Sequence, residues 1–170
     1  TTTSAISVDL ATGEVDDVPV IGTANARGSG PYTLKNGFGG MQLLDPDLVP
    51  LGDVVPFRPD LIDVHASPDG RFIALGSREG AVDLHSADGE FITRFEIPGF
   101  DGFVASPTVS ADGELLAASI DQGDQKISVW STDTLAPVGG DASEDWWWGT
   151  LHGEWLFASQ LDGSVLRVDP

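Results

Sequence analysis

Between Leu61 and Phe95 the chain breaks three times at a glycine-bearing triplet, Pro68-Asp69-Gly70, Arg78-Glu79-Gly80 and Ala87-Asp88-Gly89. Four short apolar runs are left between the breaks. Each run is too short for a helix, and Asp-Gly is a turn signal because glycine accepts the positive φ that tight hairpins need. The stretch therefore reads as a four-stranded antiparallel meander. Across the chain, 21 glycines and 11 prolines among 170 residues punctuate too often for any substantial helix.

The pattern repeats. The turn before the second strand ends at Gly30, Gly70, Gly113 and Gly153, a period of about 40 residues. Apolar second strands follow at Tyr32–Leu34, Phe72–Leu75, Leu115–Ala118 and Trp155–Ala158. Third strands are expected at Met41–Asp45, Val82–His85, Ile127–Trp130 and Val165–Asp169, and Ile6–Leu10 matches them. Phe72 and Ala74 alternate with Ile73 and Leu75, so that strand is apolar on both faces. Burial on both sides needs a sheet above and another below. Sheets of this size stacked in series are how β-propellers are built. The units run over residues 1–21 (a half blade), 22–59, 60–99, 100–143 and 144–170 (an incomplete blade), about four to four and a half blades of one all-β domain.

Ala66-Ser-Pro-Asp-Gly-Arg-Phe-Ile-Ala-Leu-Gly-Ser followed by Gly80-Ala-Val-Asp-Leu-His resembles a blade of the WD-repeat or YVTN-type propellers. Val109-Ser-Ala-Asp-Gly-Glu-Leu-Leu-Ala-Ala-Ser with Ile127-Ser-Val-Trp-Ser is similar to the same blade. No Gly-His dipeptide precedes a blade, and the Trp-Asp position reads Leu44-Asp45, His85-Ser86, Trp130-Ser131 and Val168-Asp169. The resemblance thus points to a bacterial or archaeal WD-like type. The start supplies third and fourth strands and the end supplies first, second and third, which do not merge into one four-stranded blade. A fragment of a larger propeller is expected, with a closed four- or five-bladed ring as the alternative. Unpaired terminal edges invite association with remaining blades or another chain.

The formal charge of −19 comes from 27 acidic against 8 basic side chains. So acidic a chain repels phosphate backbones and anionic lipid, which argues against nucleic acid and membrane as partners. Without cysteine there is no disulfide or thiolate metal site. No apolar run is long enough to span a bilayer. The chain opens on Thr-Thr-Thr-Ser and shows no signal peptide, so a processed or truncated chain is expected, with secretion or a periplasmic location as one outcome.

Standard enzyme signatures are absent. In a propeller the first strand of each blade lines the central channel, with side chains alternating along it. Val64 and Ala66 take the inter-blade positions, so Asp63 and His65 are the channel-facing candidates. Their repeat equivalents are Thr23 and Asn25, Ser106 and Thr108, and Trp146 and Trp148. Asn25, His65, Thr108 and Trp148 at one level would hold a polar ligand or a metal, or simply bond one another and trapped water. Trp147 reads as inter-blade core. Three successive indoles cannot share one strand face, and aromatic platforms also anchor sugars, bases or partners. Asp121 and Asp124 offer two carboxylates to Ca²⁺, fewer oxygens than that ion takes. Asp63 and His65 are the corresponding candidates for Zn²⁺, although no cofactor is required by any motif. His85 reads as a packed core histidine, and His152 as the Asp equivalent of an Asp-Gly turn.

The function expected is a non-catalytic, soluble scaffold that recognises a protein or a small ligand through its loops and channel mouth. The alternatives are part of a propeller dehydrogenase or hydrolase whose catalytic part lies outside this chain, and an extracytoplasmic metal-binding propeller.

Overall fold

The computed structural model describes residues 3–8, 15–20, 31–37, 39–97, 104–120, 127–141, 146–152, 155–160 and 165–168. Its strands are β1 (Thr3–Val8), β2 (Val15–Val20), β3 (Thr33–Gly37), β4 (Gly40–Leu44), β5 (Val55–Pro56), β6 (Leu61–Ala66), β7 (Phe72–Ser77) and β8 (Ala81–Ser86). They continue as β9 (Phe91–Glu96), β10 (Val104–Val109), β11 (Leu115–Ile120), β12 (Ile127–Ser131), β13 (Pro137–Asp141), β14 (Trp146–His152), β15 (Trp155–Gln160) and β16 (Val165–Val168). No described residue is helical.

Each sheet is an antiparallel meander of consecutive strands: β1-β2, β3-β4-β5, β6-β7-β8-β9, β10-β11-β12-β13 and β14-β15-β16. The meander expected over Leu61–Phe95 is the sheet β6 to β9. Second and third strands form where the repeat places them, because each lies between turns that the local sequence specifies. His152 departs from expectation. It pairs with Trp155 as the last residue of β14 instead of sitting in a turn.

The double-sided burial of β7 explains why the sheets stack. Ile73 and Leu75 join Leu34, Met41, Leu43, Val55 and Ala66 in a core shared with the preceding sheet. Ala74, one residue out of phase, faces the other way with Val82, Leu84, Phe95, Val109, Leu116 and Trp130. There the Phe95 and Trp130 rings lie 5.0 Å apart, tilted by 33°. Period-2 alternation on an all-apolar strand thus feeds two cores at once. One fully buried aliphatic side chain is worth about 1.5–3 kcal/mol, so this strand is the main hydrophobic tie between three sheets.

The innermost strands approach one another. β10 lies against β6 and β7 on one side and against β14 on the other, and β3 meets β6.

Candidate functional site

The channel expectation rests on β6, β10 and β14. Asp63 and His65 lie on β6, half-buried. Val64 N–H donates to Asp63 Oδ1 at 2.9 Å. His65 Nε2 is buried without a hydrogen-bond partner. Burial pushes its imidazole down to about 4, against the pull of the Asp63 carboxylate. Val64 packs on the core shared with the preceding sheet and Ala66 belongs to it, the inter-blade positions expected of these two residues.

Thr108 is buried on β10 and pairs with Ala117, as His65 pairs with Ala74. These two residues are equivalent in register. Trp148 is not their register equivalent, because it pairs with Ser159, and Thr150 is the residue opposite Phe157. The last hairpin is therefore registered two residues away from the repeat alignment. For Trp146, Trp147 and Trp148 the structure describes the backbone, and it does not test whether their indoles face a channel. Thr23, Asn25, Asp121 and Asp124 lie outside the described residues, and of Ser106 the backbone alone is described. Among the described residues no group of three or more His, Cys, Asp or Glu is placed to hold a metal ion. His85 is half-buried, its Nδ1 3.3 Å from the Gly89 carbonyl and its ring edge-on to Phe91.

Two features define the two ends of the stacked sheets, one built on the turns that anchor the repeat and one on a residue that the repeat pattern did not single out. The first is a belt of turns. Ser67-Pro-Asp-Gly70 and Ser110-Ala-Asp-Gly113 have one geometry: the glycine N–H donates to the serine carbonyl at 3.0 and 2.9 Å. The serine Oγ accepts the N–H of Phe72 at 2.8 Å and of Leu115 at 2.9 Å, so each hydroxyl closes the loop it begins. Both glycines have positive φ, 74° and 72°. Arg71 then joins the two turns, pairing with the Asp69 carboxylate and donating Nη2 to the Asp112 carbonyl. Burial alone would raise the Asp69 carboxyl, but hydrogen bonds from Ser67 and Arg71 outweigh it and hold it below its usual range. The Ser110 hydroxyl and the Glu114 N–H lower Asp112 likewise. On the other side of Gly70 sits the Tyr32 ring, which fills the space a Cβ would take.

The second feature, toward the opposite end, is centred on Asp83. Its carboxylate is 2% exposed and lies among apolar neighbours on β8. Arg58, from the segment entering β6, brings Nη1 to Oδ2 at 2.5 Å, and Arg94 on β9 brings Nη1 to Oδ1 at 3.4 Å. Arg58 also holds Asp60 at 3.0 Å, and Arg94 holds Glu79 at 2.9 Å. The equivalent positions are Gln42 in the preceding sheet and Ser128 in the following one, opposite Lys35 and Ala118 as Asp83 is opposite Leu75. A carboxylate set between Val82 and Leu84 in a third strand was the available signal. Its arginine partners become visible only when the sheet is formed.

No family model matches this chain, and no curated protein matches it. Solved structures do. The structure of U3-55K aligns with a TM-score of 0.57 at 16% identity, over 69% of this chain and 38% of that one. The crystal structure of RRP9 WD40 repeats aligns with a TM-score of 0.57 at 17% identity, over the same shares of 69% and 38%. These sheets are blades of a partial, WD-repeat-like β-propeller. At that identity the likeness concerns the fold, and the chain spans 38% of the length of each of these propellers. The propeller also accounts for the approach of β6, β10 and β14, since innermost strands converge on an axis. No helix among the described residues is long and apolar enough to cross a membrane.

Proposed function

We propose that this propeller segment is a protein-binding scaffold, recognising its partner through turns at one end of the blades. The observation that supports it most is how the polar groups are used. Asp69, Arg71 and Asp112 tie one blade to the next, and Asp83, Arg58 and Arg94 tie strands and the incoming connection together. Such ties hold turns from separate blades in a fixed relation, which is what a preorganised binding surface requires.

The test is selection of a displayed random dodecapeptide library against the folded chain. Enrichment of sequences that bind saturably with one-to-one stoichiometry is the expected result. Failure to enrich any sequence above an unrelated acidic control protein overturns the reading.

A further inference from the structure

Three turns at the Asp-Gly end lead the chain out of the third strand of a blade: Asp45–Val49, Ser86–Glu90 and Ser131–Ala136. Each closes on the same pair of hydrogen bonds. The first residue's N–H donates to the last residue's carbonyl, at 2.9 Å in all three. The penultimate residue then donates back to the first, Leu48 to Asp45 at 2.9 Å, Gly89 to Ser86 at 3.0 Å and Leu135 to Ser131 at 3.0 Å. That penultimate residue is left-handed in every case, with φ of 62° at Leu48, 91° at Gly89 and 57° at Leu135.

Glycine takes this conformation without steric cost, whereas a side-chain-bearing residue pays about 1–2 kcal/mol. Leucine is a rare occupant of the left-handed region. Leu48 and Leu135 are moreover 37% and 39% exposed, so each keeps more than a third of its surface in solvent. Gly89 shows that the turn forms without leucine. Glycine serves the same turn in the middle blade, so a bulky apolar side chain held left-handed and partly open to solvent points to recognition.

The surroundings specify the chemistry of the partner to be recognised. Val49, Leu51 and Val54 beside Leu48 are exposed as well. Asp45, Asp47, Asp53, Asp88, Glu90 and Asp133 lie on these turns and their flanks, and no lysine or arginine occurs in residues 45–57, 86–92 or 131–138. Arg71, on the neighbouring Asp-Gly turn, is the basic side chain set against them, and it is paired with Asp69. The turns are also linked. Asp53 N–H donates to the Asp88 carbonyl at 2.8 Å, Ala87 N–H to the Arg71 carbonyl at 2.7 Å, and Thr132 Oγ1 to the Gly113 carbonyl at 2.5 Å. With the contact of Arg71 on Asp112, they form one belt across three blades.

We propose that Leu48 and Leu135 are the apolar anchors of a docking surface for a basic protein segment, one carrying apolar side chains between lysines or arginines. The proposal rests on the scaffold reading and specifies its surface and partner chemistry. Carboxylates around exposed leucines attract a basic segment and repel an acidic one. A second copy of this chain brings its own formal charge of −19 and is repelled, as is an anionic membrane.

The test uses the library-selected dodecapeptides on the full chain, with Leu48→Gly, Leu135→Gly and the double variant. Glycine relieves the left-handed strain, so thermal stability is expected to hold or rise. Enriched peptides are expected to combine apolar residues with Lys or Arg and to weaken on added salt. Their affinity is expected to fall at least about tenfold for the double variant, the loss typical of removing anchor residues. Enriched peptides without basic residues, or binding to the double variant within about twofold of the parent, overturn this surface while the scaffold reading stands. No enriched sequence at all overturns both.

Discussion

Asp83 and Arg58 meet at 2.5 Å although they belong to different parts of the fold, one on a third strand and the other on the connection from the preceding blade. The carboxylate is nearly free of solvent, while the guanidinium side chain is 39% exposed. Removing one partner of a buried pair leaves the other uncompensated.

Asp83→Ala is accordingly expected to destabilise the chain by about 2–4 kcal/mol, somewhat less than a fully buried pair because both arginines keep water access. The double variant Asp83→Leu with Arg58→Met is expected to recover much of the loss, since apolar groups of similar size replace charges without a desolvation cost. Urea unfolding of the two variants decides it. A double variant no more stable than Asp83→Ala would contradict the pairing.

Gly70 lies under the Tyr32 ring with φ of 74°. Gly70→Ala combines left-handed strain with a clash into an aromatic ring, and a loss of about 2–4 kcal/mol is expected. Tyr32→Ala removes the clash but not the strain, so the double variant should show a favourable coupling of about 1 kcal/mol or more. Additive losses in a double-mutant cycle would show that the ring is not what crowds this turn.

β7 is sensitive from both sides. Ile73→Ala opens a cavity toward the preceding blade, at a cost of about 2–5 kcal/mol. Ala74→Leu overfills the opposite core, where Ala74 is fully buried, at about 1–3 kcal/mol. Thermal melts that leave Ala74→Leu unchanged would mean that the core between these blades has room it is not expected to have.

Acid weakens the fold in two stages. An exposed histidine takes its proton near 6.5, whereas burial holds His65 neutral down to about 4. The unfolded chain binds that proton first, so stability falls as pH drops from 6.5 toward 4, by about 3 kcal/mol in all. Asp69 and Asp112 have depressed values in the fold, so their contribution is present above the usual carboxylate range. It is lost as pH falls through their folded values. His65→Gln should remove the first stage and keep the second. Urea midpoints compared at about pH 7 and about pH 4.5 report it, and an unchanged difference between them in His65→Gln would rule His65 out.

Much of this was determined by the sequence alone, because turn chemistry and strand alternation involve residues close together in the chain. Pro68-Asp69-Gly70 and its copies specify hairpins, and the two apolar faces of Phe72–Leu75 demand a sheet on either side. Blades, their order and their propeller class come from that. The tertiary structure alone decided what depends on register and on contacts between distant segments. Trp148 is not the register equivalent of His65 and Thr108, because the last hairpin is paired two residues further along. Arg58 meets Asp83 because the connection entering β6 brings it to β8 of the same sheet, and Leu48 and Leu135 become equivalent through backbone angles that their side chains do not announce. A leucine reads in sequence as core. Its φ and its exposure, set by the turn and by the groups packed beside it, place these two at the surface.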